Sequence, residues 1–174
     1  MIDFTHNHFE LFALPARFAV DAAVLEERYR ALQRDVHPDR HAGDPAAQRQ
    51  ALQAAARVNE AYRTLKDPVE RGRYLLQLQG VDALAETDTA LSRDFLETEL
   101  ARREAAADAG TAGDVAALEA ILAAIRRESA AREVALAERL DARDITQARD
   151  AVRELKFLQK VAADVDAMIA EIDA

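Results

Sequence analysis

Cysteine and tryptophan are absent from the 174 residues, and only 5 glycines, 4 prolines and 2 methionines occur. Without cysteine the chain can form no disulfide, thiol nucleophile, redox pair, or cysteine-ligated zinc or iron centre. So few glycines leave little scope for a loop that cradles phosphate. Long hydrophobic runs are also missing, and no apolar stretch approaches the roughly 20 residues of a membrane-spanning helix. Met1 to Phe12 carries Asp3 and Glu10 but no Lys or Arg. That fits neither a secretory signal nor an Arg-rich transit peptide, so a cytoplasmic location is expected.

Alanine dominates what is present: there are 40 alanines, and β-branched and aromatic residues are scarce. Summed propensity therefore favours helix along the whole chain, and an all-α fold is expected. Charge is unevenly placed. Residues 1 to 76 hold 11 basic and 11 acidic residues, and residues 77 to 174 hold 12 and 21, so the whole net charge of -9 lies in the second part. Such a surface repels phosphate, and no nucleic-acid partner is expected.

Punctuation divides the chain in two. A short first helix should stop near Leu14-Pro15. Asp21 should cap a second helix that runs through Leu25, Arg28 and Leu32 to about Val36. His37-Pro38-Asp39 breaks that helix, because the residue before a proline is pushed out of the helical region and Pro38 lacks an amide donor. Leu52, Ala55, Val58, Asn59, Tyr62 and Leu65 then recur at helical spacing up to Asp67-Pro68, predicting a third helix antiparallel to the second. A fourth should start at Pro68 and reach Gly80, and the stretch from Gly80 to Thr89 reads as linker. Three longer helices follow: Ser92 to Ala109 ended by Gly110, Asp114 to Asp141, and Asp144 to Ile172. With connections so short, they should pack as an antiparallel bundle. On the last helix, Ala148, Leu155, Ala162 and Ile169 form one row and Ala151, Leu158, Val165 and Ile172 another, both expected in the core. Phe157 lies off that seam, either packed sideways or against the first domain, or exposed for a partner.

The histidines are the first candidates for chemistry. His6 and His8 read as mobile surface residues, since no third metal ligand lies within local reach. His37, Asp39 and His41 alternate in the pattern of a general base or a metal site, but no hydroxyl or thiol nucleophile accompanies them. An enzyme is therefore not expected. More specific is the triplet His37-Pro38-Asp39 itself, set between two helices and preceded by a basic helix in which Arg30 and Arg34 lie one turn apart.

These residues resemble the J-domain family: the basic helix Leu25 to Arg34, the loop His37-Pro38-Asp39-Arg40, and the third-helix ending Asn59-Glu-Ala-Tyr-Arg-Thr-Leu-Lys-Asp-Pro68. The opening Phe9 to Phe18, the segment Arg71 to Gly80, Phe95-Leu-Glu with Arg103-Glu104, and Arg153 to Leu158 are similar to the HscB family of J-type co-chaperones in iron-sulfur cluster assembly. The resemblance implies a J domain over residues 1–76, an antiparallel helical hairpin with flanking short helices. It further implies a linker over 77–90 and a C-terminal three-helix bundle over 91–174. It implies that His37, Pro38 and Asp39, with Arg30, Arg28 and Arg34, meet an HscA-type chaperone ATPase and stimulate it. It implies that Leu96, Leu100, Glu104 and Phe157 bind the IscU-type iron-sulfur scaffold protein. The chain departs from the family pattern at Glu97, where Met is common, and at Ala101, where Glu is common. Absence of the N-terminal zinc-binding cysteines of eukaryotic relatives points to a bacterial protein, and no cofactor, cluster or membrane is expected. The other readings are a general J-domain co-chaperone whose bundle binds a different client, and an unrelated helical adaptor.

Overall fold

The computed structural model describes residues 3–37, 44–85 and 91–172, and every regular element within them is a helix. The chain divides into two units, Met1–Leu75 and Leu76–Ala174.

In the first unit, α1 (His8–Leu11) is a single turn held by a reciprocal cap. The Asn7 side chain accepts from the amides of Phe9 and Glu10, and the Glu10 carboxylate accepts from the Asn7 amide at 2.8 Å. The second helix, α2 (Ala22–Asp35), is capped by Asp21, and its C-cap is Val36. Asp44 caps α3 (Pro45–Lys66), whose first residue is proline, where a missing amide costs nothing. Helices α2 and α3 run antiparallel. Tyr29 donates to Asn59 Oδ1 at 2.9 Å and stacks on Tyr62, while Tyr62 reaches back one turn to donate to Glu26. Asp67 ends α3 and caps α4 (Pro68–Gln77), since its carboxylate accepts from the amides of Val69 and Glu70. Phe9, Phe12, Phe18, Leu25, Val58, Ala61 and Leu65 form the buried side of these elements.

The second unit contains α5 (Arg93–Ala112), α6 (Val115–Asp141) and α7 (Ile145–Ile172). Pairs between Arg102 and Glu128, and between Arg132 and Glu154, show that each successive helix reverses direction. Phe95, Ala106, Leu118, Leu122, Ile125, Leu158, Val161 and Val165 pack into one core. At roughly 25 cal/mol per Å² of apolar surface removed from water, each fully buried Leu or Ile contributes about 2 kcal/mol before entropic costs.

Four details differ from the sequence expectation. First, α5 runs through Gly110 and stops only at Gly113, which is left-handed at φ 66 and lets the Asp114 amide reach back to the Ala109 carbonyl. Gly110 stays helical and packs beside Met168, whose Sδ would lie at ordinary contact distance, 3.6 Å, from an added Cβ. Second, α4 ends at Gln77, ahead of the left-handed Gly80. Ala83, within the stretch read as linker, is fully buried in the second unit, and its carbonyl accepts from Arg153 Nε at 2.8 Å. Third, Ile172 is exposed and Ile169 only partly covered, because α7 outruns its neighbours once it has passed Met168, level with Gly110. Val152 and Val161, outside both expected rows, are buried in their place.

The fourth difference is His8, which is not a surface residue: it is 4% exposed, and its ring stacks on Tyr74 at 4.1 Å. The reciprocal Asn7 cap makes His8 the first residue of α1, on its buried side. Burial, reinforced by Arg57 and opposed by Glu60, lowers its pKa to about 4 from an ordinary 6.5. An unfolded chain then binds a proton that the folded one refuses, so stability is present above pH 6.5 and is lost as pH falls towards 4. His8→Phe should remove up to about 3 kcal/mol of that acid-induced loss, as read by urea denaturation across this range.

Candidate partner-binding surfaces

The two groups of candidate residues lie in different units and are described separately. In the first unit, Arg30, Gln33, Arg34, Val36 and His37 of α2 and its end line an open groove of about 540 Å³, completed by Ala55 of α3. Helical spacing puts Arg30 and Arg34 one turn apart, and the stop at Val36 delivers His37 to the same edge. His37 is exposed. Pro38 and Asp39 lie outside the described residues. Arg30 keeps 71% of its side chain in solvent while donating to Glu26 at 2.9 Å. Glu26 is held below the usual carboxylate range by hydrogen bonds from Tyr62 and Arg30. The pair thus remains ionised and leaves the remaining guanidinium donors facing outward.

Arg28, grouped with them by sequence, does not line the groove. Its Nη1 donates to the carbonyls of Phe12 and Ala13 at 2.6 and 2.5 Å. Ala13 is left-handed at φ 50, an unfavourable conformation for a residue with a Cβ, and Arg28 clasps the turn that contains it. Arg28 stands two residues before Arg30 and so points from another side of α2, and the carbonyls that claim it come from a different element.

In the second unit, Leu96 and Leu100 lie one turn apart on the solvent side of α5, 44% and 60% exposed. Glu104 continues that face and is exposed. Glu97, at its margin, accepts from Arg93 at 2.7 Å. Of the readings left open for Phe157, sideways packing is the one seen. The residue is half-buried, packed edge-to-face against Phe95 with ring centres 5.6 Å apart, and the guanidinium of Arg103 lies 4.8 Å from its ring centre. Parallel α5 and α7 bring the two rings together, so Phe157 packs sideways and offers a partner only part of its ring. Arg103 shares the solvent side with Leu96 and Leu100, and so stands between those leucines and Phe157. Sequence reading passed over Arg103 because an arginine on an exposed helical face usually marks nothing.

Behind this face lies a polar network that sequence reading also missed. Arg102 bridges Glu99 of its own helix and Glu128 of α6, and Arg132 of α6 bridges Glu128 and Glu154 of α7. Arg132 also lies over the Phe95 ring at 5.1 Å. Burial pushes the Glu99 carboxyl up, against the pull of Arg102 and with the repulsion of Glu128. Burial also acts on Glu128, but hydrogen bonds from Arg132 and Arg102 outweigh it and hold that carboxyl below its ordinary value. The spacing of Phe95, Glu99, Arg102 and Ala106 on the covered side of α5 was the available signal.

Residues 7–74 match the DnaJ domain family, and residues 91–166 match the family described as the HSCB C-terminal oligomerisation domain. Over 174 residues, covering 99% of both chains, the sequence is 47% identical to the co-chaperone protein HscB homolog of Burkholderia multivorans. Identity to the homolog of Burkholderia vietnamiensis is 45% over the same span. Among solved structures, chaperone HscB from Vibrio cholerae superposes with a TM-score of 0.82 at 34% identity, covering 93% of this chain and 96% of that one. Human co-chaperone HscB superposes with a TM-score of 0.88 at 27% identity, covering 95% and 83%.

The different engagements of the two arginines give a direct test. Arg28→Ala should destabilise the chain by about 1.5–3 kcal/mol in chemical denaturation, the value of lost charge-assisted hydrogen bonds. Arg30→Ala, whose ion pair is exposed, should change stability by less than about 0.5 kcal/mol.

Proposed function

The chain belongs to the HscB family of J-domain co-chaperones, and from that premise we propose that it stimulates an HscA-type chaperone ATPase and delivers to it the IscU-type scaffold protein. Residues 1–76 act on the ATPase, residues 91–174 hold the scaffold, and residues 77–90 join them. The working location is the bacterial cytoplasm. A J-domain co-chaperone regulates a partner's ATPase and contributes no catalytic group of its own.

The observation that carries the scaffold reading is the exposed Leu96–Leu100 pair, with Glu104 beside it and Phe157 reaching from α7, on a bundle matched to the HscB C-terminal family. An apolar anchor with a charged margin is the arrangement that gives a docking surface both energy and orientation. Glu97, in place of the family's common Met, exchanges one apolar contact for an ion pair with Arg93. Loss of such a contact weakens an anchor cluster by about 1–3 kcal/mol. That substitution is also the specific feature favouring the second reading, a J-domain co-chaperone whose bundle takes a different client.

On the ATPase side, the groove formed by Arg30, Arg34 and His37 supports an encounter with an acidic chaperone surface. Arg30 and Arg34 steer the approach, while His37, Pro38 and Asp39 form the contact that the hydrolysis-competent state of the ATPase binds better than its resting state. That difference in affinity is the acceleration. Arg28 serves this surface indirectly by holding the turn through Ala13. Binding both partners at once raises the effective concentration of scaffold at the chaperone.

Two measurements test the halves separately. His37→Gln should abolish stimulation of the chaperone ATPase in a steady-state phosphate-release assay without altering the far-ultraviolet circular dichroism; undiminished stimulation overturns the J-domain role. Calorimetric titration of the scaffold protein into the full chain should saturate, with Phe157→Ala weakening the affinity by about 10-fold or more, as expected of an interface aromatic. No heat and no binding by a second method would send the search for the client elsewhere.

A further inference from the structure

Glu99 stands directly behind the apolar face of α5, three residues after Leu96 and one before Leu100. Only 1% of its surface is exposed, and its Oε2 is buried with no hydrogen-bond partner among the described residues. The groups that face it are charged. On α5 Arg102 donates to its other oxygen; from α6 come Glu128 and Arg132; from α7 Glu154 is joined to the cluster through Arg132. Two arginines therefore serve three carboxylates, and the carboxylate left with a bare buried oxygen is Glu99. Burying an uncompensated charge is far more costly than burying a neutral acid, and a proton on Oε2 removes the excess. The network around Glu99 opens on a cleft of about 280 Å³ lined by Asp94 and Thr98 of α5, Glu128 and Arg132 of α6, and Glu154 of α7.

We propose that Glu99 is the positioning residue of the apolar face on α5. With its carboxyl protonated, α5 is seated on α6 and α7. On releasing the proton to solvent, α5 loosens and Leu96 and Leu100 lose their fixed presentation. As a control on scaffold binding this rests on the reading that the face binds the scaffold; as a property of the bundle it does not.

The sign follows from linkage. In the seated bundle Glu99 titrates above the ordinary carboxylate range, and once α5 opens it titrates within that range. Between the two values opening releases a proton, so opening becomes easier as pH rises, by up to about tenfold per pH unit. Glu128 is held low by its arginines, so its own titration lies at more acid pH and leaves this window to Glu99.

The test is hydrogen exchange of the α5 amides in the full chain from about pH 5 to about pH 8, expressed as protection factors so that intrinsic exchange rates cancel. Wild-type protection across Leu96–Ala106 should fall with rising pH, and Glu99→Gln, a neutral carboxamide of the same shape, should hold the low-pH protection throughout. Protection that is independent of pH in the wild type, or pH dependence that persists in Glu99→Gln, overturns the proposal. Because the variant can misfold, carbon-13 titration of the Glu99 carboxyl in the wild type gives a second reading. Its midpoint should stand above those of the exposed glutamates and coincide with the loss of protection, and a midpoint among theirs overturns the proposal. Scaffold titrations at the two ends of the range separate the two inferences. Weaker binding at the higher pH in the wild type alone supports both, whereas a protection change without scaffold binding at either pH keeps the role of Glu99 and removes the client.

Discussion

Both units depend on where a nearly continuous helix is made to stop. With 40 alanines and 5 glycines the backbone has no local reason to leave the helical region, so a few residues that cannot continue it determine the topology. Asp67 ends α3 and caps α4 in one step, and Gly113 adopts the left-handed turn that reverses α5 into α6. Val36 closes α2 immediately before the His37-Pro38 break. The stops also decide which side chains meet, because the end of α2 places His37 beside Arg30 and Arg34. The reversal at Gly113 turns α6 back along α5, and with that Glu128 reaches Arg102.

The two units solve the problem of presenting charge differently. In the first, Glu26 is fixed by Tyr62 and Arg30, an arrangement that keeps a cation at the surface at little energetic cost. In the second, Glu99, Arg102, Glu128, Arg132 and Glu154 sit among apolar side chains and link three helices. Partly buried ion pairs of this kind repay little net stability, because desolvation offsets most of the attraction. They are exacting about geometry, however, since each arginine must meet two carboxylates at once. That exactness suits a helix whose opposite side exposes Leu96 and Leu100.

Phe157 shows how neighbours can fix a side chain that lies off the core seam. Its edge contact with Phe95 and its position under Arg103 restrict the ring. Arg28 shows the same. Grouped with Arg30 and Arg34 by the family resemblance, it is taken up by the carbonyls of a strained turn.

Much of the fold was legible because helix punctuation is local chemistry. The cap at Asp21, the helix start at Ser92, the breaks at His37-Pro38 and Asp67-Pro68, the antiparallel pairing of α2 with α3, and the inward rows of α7 as far as Val165 all follow from residue type and spacing. The exposed leucines of α5 were legible through likeness to a family. What was not legible depended on distant neighbours: the burial of His8 under Tyr74, the passage of the helix through Gly110 beside Met168, and the exposure of Ile172 beyond the bundle. The sequence by itself determined that this protein is helical, where most of its helices turn, and which family it resembles, because propensity, capping and motif are properties of adjacent residues. Only the tertiary structure decided which arginine stays in solvent and which glutamate is buried behind the exposed leucines of α5, because burial and pairing are set by side chains that meet from remote parts of the chain.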